Sequence, residues 1–448
     1  MDLNERTSSA TRRGGLKRRA FLKRTATATA TAMGFPYIIP GSALGLNGAT
    51  APSERFTMGC IGVGSQGSGN MKGFLNFKDL QIIAVCDVDG KRRDEAKNIV
   101  NQAYSTDGCA THEDFRELLD RGDLDCVSIA VPDHWHAIPA IAAAKKGLDI
   151  YAEKPLALTI PQGRAMVDAV HRYGIVWQTG SWQRSKANFH RGCELVRNGR
   201  IGKVHTVKVG LPTGHAIDPQ PAMPIPEGFN YDFWLGPAPE APYTEKRCHW
   251  NFRWILDYSG GQLTDWAAHH CDIANWGMGT ELTGPVTVEG KGEFPRDGLY
   301  NTAINYMLEC KYAPGASPVA PDGFTMLVSN SFPMGTRFEG DKGWVFVDRG
   351  DTLQADPAGI LNEVIGENEV KLVKSDNHAQ NFIDCMRSRE QTVTPIAPAH
   401  FAISIAHLGN IAMKLGRKVN WDAGTEQFVN DAQATRLLDR AMRGPWHL

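Results

Sequence analysis

Residues 260–272 carry side chains that could move a proton. Asp265, His269 and Asp272 stand at positions i, i+4 and i+7, so on a helix they share one face, whereas His270 points about 100° away. A carboxylate beside an imidazole suits a general base that works near neutral pH. Two alternatives remain open: a helix with a buried structural histidine, and a metal site built from the D-x-x-x-H-H-x-x-D spacing.

A second candidate is Lys154, in the sequence Glu153-Lys154-Pro155 at the end of an apolar run. The proline forces Lys154 into an extended conformation and makes a cis peptide bond accessible. An ammonium at the carboxyl end of a sheet strand can stabilise an alkoxide or donate a proton to it. Proton transfer by a histidine and a lysine needs no metal, so we predict a site without one.

The segment before these residues has the pattern of a dinucleotide-binding unit. Strand Phe56–Ile61 leads into a G-x-G-x-x-G turn at 62–67, and a helix over 69–77 connects it to strand Leu80–Cys86, which ends at Asp87. The glycines let the backbone approach a pyrophosphate, and the acidic residue is placed to bind the ribose hydroxyls. The predicted cofactor contacts in this unit are Gly62, Gly64, Ser65, Gln66, Gly67 and Asp87.

The carboxylate of Asp87 repels a 2′-phosphate, which favours NAD. Basic residues stand just downstream at Lys91, Arg92 and Arg93, so NADP stays open as an alternative cofactor.

Strand and helix patterns alternate as far as Glu153. A buried strand over 124–131, a helix over 138–146 and a strand over 148–152 are predicted. Ligands bind at the loops that follow the strands of open α/β sheets. The loops at 132–136 and 153–155 are therefore candidate ligand sites, and Pro132 and Lys154 join the predicted cofactor contacts.

Composition limits the classes of protein that remain. A chain of 448 residues is expected to form two domains. Its nine cysteines include no CxxC pair, which indicates buried reduced thiols. Residues 51–448 carry 40 basic and 47 acidic side chains, and this acidic balance argues against nucleic acid as the main partner.

The first 50 residues differ from the rest, with eight basic and two acidic side chains. The sequence Lys17-Arg18-Arg19-Ala20-Phe21-Leu22-Lys23 resembles a twin-arginine export signal, and residues 25–53 are uncharged. This uncharged stretch is too polar and too interrupted for a stable membrane span, which needs roughly 20 apolar residues. We expect residues 1–50 to direct a folded, cofactor-loaded protein to the periplasm through the twin-arginine machinery. A disordered basic tail is the alternative.

The motifs together resemble the glucose–fructose oxidoreductase/inositol dehydrogenase (Gfo/Idh/MocA) family, from about Phe56 to the C-terminus. The resemblance implies an α/β protein with an N-terminal Rossmann NAD(P)-binding domain, here 54–184. It implies an α+β domain with a large open, mainly antiparallel sheet over 185–396, used for substrate binding and for a homo-oligomer (dimer or tetramer). Residues 397–448 are expected to form a C-terminal helix and a tail that pack back on the core.

The resemblance also implies roles for individual residues. Lys154, Asp265 and His269 would line the substrate and the nicotinamide, with His269 taking the hydroxyl proton. Glu153 and His136 would be cofactor contacts, at the family positions beside the nicotinamide ribose and its loop. The doubled histidine leaves open whether His269 or His270 carries that proton. The further substrate candidates are Trp182, Arg184 and His270.

The region from about residue 211 to 254 is longer than the family core requires and is rich in proline and aromatic residues. We interpret it as substrate-side loops. Trp234, Trp250 and Trp254 in this region would either stack on a sugar ring or belong to an aromatic core.

We therefore expect an exported NAD(P)-dependent oxidoreductase that holds its cofactor tightly and exchanges hydride with a sugar or polyol hydroxyl. Export favours a cofactor regenerated in place. One alternative is a redox-neutral glycoside hydrolase, in which transient oxidation of the sugar acidifies a neighbouring C–H. The other is a non-catalytic sugar-binding relative.

Overall fold

The computed structural model describes residues 54–448, and the predicted export signal lies outside them. A parallel six-stranded sheet begins the fold, with the spatial order β3-β2-β1-β4-β5-β6. Its strands are β1 (Phe56–Ile61), β2 (Leu80–Cys86), β3 (Ala110–His112), β4 (Cys126–Ile129), β5 (Asp149–Ala152) and β6 (Trp177–Thr179). The order reverses between β1 and β4, which leaves a crevice beyond the carboxyl ends of these strands.

Helices alternate with these strands and cover the faces of the sheet, which is why β4 and β5 are buried along their whole length. They are α1 (Ser65–Phe74), α2 (Gly90–Tyr104), α3 (Phe115–Leu119), α4 (Ala137–Lys145) and α5 (Ile160–Tyr173). Helix α1 starts four residues earlier than predicted, directly after the glycine turn. Low helix propensity of its glycines hides this start in the sequence.

A nine-stranded sheet follows, ordered β13-β12-β11-β7-β10-β9-β8-β14-β15. Every neighbouring pair is antiparallel except β7 and β10, so the predicted mainly antiparallel sheet is confirmed. Its strands are β7 (Val204–Gly210), β8 (Thr287–Glu293), β9 (Asn305–Tyr312), β10 (Phe324–Ser329), β11 (Gly335–Gly340), β12 (Gly343–Asp348), β13 (Thr352–Asp356), β14 (Val419–Asp422) and β15 (Gln427–Phe428).

One face of this sheet is buried, as the alternation along β9 illustrates: Tyr306, Leu308, Cys310 and Tyr312 are buried and the residues between them are not. The remaining helices are α6 (Ala187–Arg197), α7 (Tyr231–Leu235), α8 (Gly261–Met278), α9 (His378–Ser388), α10 (Ile396–Leu415) and α11 (Ala432–Thr435). Helix α8 packs on β7 and β11 and between α6 and α10.

The C-terminal helix α10 packs on α8, β8 and α5. Within residues 54–448 it is the one helix long and apolar enough to cross a membrane, but 89% of its apolar window is buried inside the fold. Its His407 is buried, and Nε2 contacts the carbonyl oxygen of Ala157 at 3.0 Å, so this residue serves the packing of the helix.

Helix α9 lies within the predicted second domain, residues 185–396, but it packs on the parallel sheet of the first domain. Its Phe382, Ile383 and Met386 pack with Met58 and Tyr151 of the parallel sheet. The segment after α9 also returns to that sheet, where the Thr179 N–H donates to the carbonyl of Thr394 at 3.0 Å. The chain therefore completes the core of the first sheet after the second sheet has begun.

All nine cysteines are free and buried, in agreement with the prediction of reduced thiols.

Candidate active site

A cavity of about 560 Å³ lies beyond the carboxyl ends of β1, β2, β4 and β5, and its far wall is formed by α8 and the aromatic segment 249–254. The predicted residues that line it are Gly62, Gly64, Ser65, Gln66, Asp87, Pro132, Glu153, Lys154, Trp182, Asp265 and His269. The fold thus brings together most of the predicted cofactor and catalytic positions.

The glycine turn forms a cradle that fits a dinucleotide. Gly62 has φ +79°, and a Cβ there would lie 2.5 Å from the carbonyl oxygen of Ala130. A Cβ on Gly67 would lie 1.9 Å from the carbonyl oxygen of Gly62, so Gly67 serves the close packing of α1 on β1 and does not itself line the cavity. Helix α1 begins after Gly64 without a side-chain cap and without an acidic residue in its first turn. Its free N–H groups suit a pyrophosphate.

Asp87 lies at the end of β2, as predicted for a ribose ligand. Its Oδ2 accepts the N–H of Val63 at 2.8 Å and its Oδ1 the N–H of Asp89 at 3.0 Å. Burial raises the pKa of Asp87, and these hydrogen bonds oppose the rise only in part. Arg92 is paired with Asp89 at 3.4 Å, and Arg93 donates to the Asp87 carbonyl at 2.7 Å. Because both guanidinium groups are engaged, this end of the cavity fits NAD.

Glu153 is held in the cavity wall by α1. Its Oε1 accepts the side-chain amides of Gln66 at 3.1 Å and of Asn70 at 2.9 Å. The sequence analysis missed Asn70, although two amides spaced i, i+4 on the helix after a glycine turn were a usable signal.

His136 does not contact the cofactor space, contrary to the prediction. It is buried, and its ring nitrogens lie 2.6 Å from the carbonyl oxygen of Pro155 and 2.8 Å from that of Val131. The ring therefore links the loops that follow β4 and β5, and it orients the cavity wall from behind.

Lys154 and Asp265 form the centre of the catalytic group. The Lys154–Pro155 bond is cis, and Nζ of Lys154 lies 2.7 Å from Oδ1 of Asp265. Arg253 approaches Oδ2 of the same carboxylate at 3.6 Å. Burial acts to raise the pKa of Asp265, but the charges of Lys154 and Arg253 outweigh it and hold that pKa below its usual range. The carboxylate stays ionised and fixes the lysine.

His269 completes the group, one helical turn after Asp265. Its Nδ1 is buried without a hydrogen-bond partner among the described residues, which leaves Nε2 as the ring nitrogen open to the cavity. Burial, followed by the charges of Lys154 and Arg349, holds the pKa of His269 well below its usual range. The ring is therefore neutral near pH 7 and free to accept a proton.

His270 and Arg184 are not substrate contacts, so these two predictions are wrong. His270 is fully buried and stacks on Trp266, with 5.9 Å between ring centroids. Arg184 is buried and donates to both oxygens of Asp272 at 2.7 Å and to Glu281 at 2.7 Å. Asp272 does share a helical face with Asp265, but it lies two turns further along α8 and closes this ion pair beneath the cavity.

Aromatic residues and two arginines complete the substrate end. Trp234 and Trp254 are buried, Trp250 is 59% exposed, and all three line the cavity. The sequence analysis missed Arg253 and Arg349. Arg253 lies inside the loop region already assigned to the substrate side. Arg349 directly follows β12, and its position at a strand end was the signal that could have identified it.

Sequence profiles of one oxidoreductase family match most of the chain. The profile described as oxidoreductase family, NAD-binding Rossmann fold, matches residues 56–181. The profile described as oxidoreductase family, C-terminal alpha/beta domain, matches residues 211–448.

Individual relatives agree with this match. The α-N-acetylgalactosaminidase of Shewanella oneidensis is 31% identical over 173 residues, which is 37% of each chain, so the alignment spans little more than a third of that relative. The WlbA dehydrogenase from Bordetella pertussis, solved with NADH and UDP-GlcNAcA, has a TM-score of 0.59 at 16% identity and covers 82% of this chain and 99% of its own. The aldose–aldose oxidoreductase from Caulobacter crescentus, solved with glycerol, has a TM-score of 0.58 at 18% identity, with 82% and 99% covered.

The parallel sheet with its glycine cradle, the mainly antiparallel second sheet and both profile matches lead to one conclusion: the chain belongs to the Gfo/Idh/MocA family of oxidoreductases, with an NAD-binding Rossmann domain.

Proposed function

We propose that this protein transfers hydride between a tightly held NAD and a hydroxyl-bearing carbon of a sugar or polyol. The observation that carries the proposal is the meeting of Lys154, Asp265 and His269 at one end of the cavity whose other end is the dinucleotide cradle. A structural helix that merely buries a histidine would not leave Nε2 of His269 open beside an ammonium.

The side chains have separable tasks. NAD, when bound, supplies the hydride acceptor or donor. Nε2 of His269 accepts the hydroxyl proton of the substrate, because its ring is neutral. The Lys154 ammonium, fixed by Asp265 at 2.7 Å, stabilises the alkoxide that forms. The tryptophans of the cavity wall offer apolar faces to a sugar ring and exclude water.

The solved relatives support a sugar as the substrate class. One holds a nucleotide sugar with NADH, and another is named an aldose–aldose oxidoreductase. The second name describes an exchange between two sugars, which is the type of cycle that a retained cofactor would require.

Redox-neutral glycoside hydrolysis is the second candidate, and a specific observation favours it. A curated relative at 31% identity is named an α-N-acetylgalactosaminidase. A base such as His269 beside a dinucleotide cradle could serve net hydride transfer or redox-neutral hydrolysis. The product formed, an oxidised sugar or a released aglycone, distinguishes the two reactions. A non-catalytic sugar-binding relative is the third candidate.

The proposal includes export to the periplasm through the twin-arginine route and assembly into a homo-oligomer. The paired arginines at 18 and 19, with the uncharged stretch that follows, support export. In a compartment without free NADH for exchange, the enzyme would have to regenerate its cofactor within one cycle.

The test begins with the full chain, produced in a host with a twin-arginine pathway and purified without added nucleotide. Native mass spectrometry should find the protein with NAD bound and should give its N-terminus and oligomeric state. A panel of sugars and polyols should then reduce the bound nicotinamide, seen by its absorbance near 340 nm. Release of the aglycone from nitrophenyl glycosides without net NADH would instead favour hydrolysis. Neither reaction in a folded, NAD-loaded sample would leave the binding protein as the surviving candidate.

A further inference from the structure

Three basic side chains cluster at the substrate end of the cavity. Lys154, Arg253 and Arg349 all line it. The Asp265 carboxylate lies 2.7 Å from Nζ of Lys154 and 3.6 Å from Nε of Arg253. Arg349 has no carboxylate within 4 Å among residues 54–448, and its side chain donates no hydrogen bond to any of them.

The other carboxylates that line the cavity are already engaged, and two of them, Asp89 and Glu113, pair with Arg92 and Arg93 at the cradle end. Glu153 accepts two side-chain amides, Asp87 accepts two backbone N–H groups, and Asp133 accepts the hydroxyl of Ser259 at 2.5 Å. None of them neutralises Arg349. Burial lowers the pKa of the Arg349 guanidinium, and the charges of Asp348 and Asp265 oppose this lowering only in part.

The orientation of Arg349 restricts what it can bind. Its Cζ lies 4.8 Å from the ring centroid of Trp182 and 4.5 Å from that of Trp266, so indole rings flank the guanidinium plane. Nε of Arg349 is buried and has no hydrogen-bond partner in the described part of the chain, which leaves the two terminal Nη groups as the reachable donors. A guanidinium flanked by rings donates edge-on, and two parallel N–H groups in a plane match a carboxylate.

We propose that the substrate is a sugar acid whose carboxylate binds the Nη edge of Arg349. The inference rests on the proposed function for the hydride chemistry and adds the class of sugar. Arg253 already donates from Nη1 to the carbonyl of Trp250 at 2.6 Å. It therefore adds positive potential beside the site, and Arg349 is the residue that binds the carboxylate. The stacked tryptophans preorganise the Arg349 side chain, which lowers the entropy cost of binding.

The experiment compares matched sugars with the NAD-loaded protein: glucuronate against glucose, and galacturonate against galactose, with glucose 6-phosphate as a second anion. Both reduction of the bound nicotinamide and binding by titration calorimetry are measured. The variants are Arg349→Met, which keeps the apolar stem between the rings, and Arg349→Lys, which keeps the charge without the planar edge. Arg337→Met is the control, because Arg337 also stacks on a tryptophan, with Cζ 3.9 Å from the Trp344 ring, but lies on β11 outside the cavity.

We expect at least one sugar acid to exceed its neutral partner about 10- to 100-fold in kcat/KM or in affinity, as a charge-assisted bidentate pair implies. Arg349→Met should remove that preference, measured as the ratio of acidic to neutral sugar within the same variant, because this ratio cancels any change in the step common to both sugars. Arg349→Lys should keep part of the preference, and Arg337→Met should keep all of it. Equal use of acidic and neutral sugars, a preference for the phosphate, or an equal loss for both partners in Arg349→Met would overturn the inference.

The two proposals fail separately. If a neutral sugar reduces the nicotinamide best, the proposed function stands and the sugar acid is rejected. If a sugar acid binds through Arg349 but no sugar is oxidised, the sugar-acid site stands and the proposed hydride transfer is rejected. Absence of both binding and reduction for every sugar acid rejects the sugar-acid site.

Discussion

Adjacent histidines on α8 have opposite environments. His269 opens to the cavity through Nε2, while His270 is fully buried, with both ring nitrogens lacking a hydrogen-bond partner among the described residues. Successive residues of a helix point about 100° apart, so two identical side chains face a reactive cavity and a packed core. Burial lowers the pKa of His270 to about 3, and its ring behaves as an apolar surface.

The first prediction uses this pair as its own control. His269→Asn should lower kcat by about 10²- to 10⁴-fold, the usual contribution of a general base, because asparagine cannot accept the hydroxyl proton. His270→Asn should leave kcat per folded molecule within about threefold, since it touches no reacting group. Single-turnover reduction of the bound nicotinamide measures both variants, with circular dichroism to confirm folding. Equal losses in the two variants would contradict the assignment of the base.

Arg184 illustrates a charged residue that serves stability. It is buried between Asp272 and Glu281, each 2.7 Å away. The surrounding carboxylates overcome the opposing effect of burial and raise the pKa of Arg184. Removing the arginine would leave the buried carboxylate of Asp272 without its partner, whereas Glu281 is partly exposed and would keep Arg197 at 3.5 Å. Leaving one buried charge unpaired is the costly way to break a buried ion pair.

We therefore predict that Arg184→Met lowers the free energy of unfolding by about 3–5 kcal/mol. Lys146→Met is the matched control: its ion pair with Asp120 is exposed, at 51% and 69% of the side chains, and should contribute less than about 1 kcal/mol. Urea unfolding measures both. The KM for the sugar should not change in folded Arg184→Met; a rise in KM with normal stability would restore Arg184 as a substrate contact.

At the scale of elements, the contact of α1 with β1 sets the shape of the dinucleotide cradle. Gly67 lies against the backbone of Gly62, whereas nothing lies within 4 Å of a Cβ built on Gly69, one half-turn further along the same helix. The two glycines therefore differ only in what their missing side chains would meet.

Gly67→Ala should displace the start of α1 and reduce the fraction of protein that retains NAD by about tenfold or more, because the pyrophosphate depends on the N–H groups of that turn. Gly69→Ala should retain NAD and gain about 0.5–1 kcal/mol from better helix propensity. NAD is quantified by absorbance after denaturation of each purified protein, and stability by urea unfolding. Full NAD content in Gly67→Ala would show that the cradle tolerates the shift.

At the scale of the whole molecule, several buried histidines must stay neutral for the fold to persist. Burial lowers the pKa of His134, His378 and His407 to about 4, and that of His270 to about 3. An unfolded histidine titrates near pH 6.5. Between those values the unfolded chain binds more protons than the folded one, so the free energy of unfolding rises with pH in this window and is lost as the pH falls.

The expected result is a fall in the free energy of unfolding between pH 7 and pH 5, with up to about 2 kcal/mol from each of these histidines. His407→Gln should reduce that fall, since it removes a titrating ring that does not line the cavity while keeping a donor for the carbonyl of Ala157. Urea unfolding at both pH values, for the wild type and the variant, measures the slope. A pH-independent stability would contradict the view that these rings are neutral in the fold.

The sequence by itself determined the local chemistry. Glycine spacing, an apolar strand that ends at Asp87 and the Glu153-Lys154-Pro155 step each depend on neighbours within a few residues, and period and turn chemistry are readable over such distances. The helical spacing of Asp265 and His269 was readable for the same reason.

The tertiary structure decided which side chains meet. Lys154 and Asp265 are 111 residues apart, and Arg349 comes to the same cavity from β12 of the other sheet. The helical face shared by Asp265 and Asp272 could not reveal that Arg184 would claim the second carboxylate, and the doubled histidine could not reveal which ring would be buried. These outcomes depend on packing between distant elements, because burial and charge pairing are properties of the assembled fold.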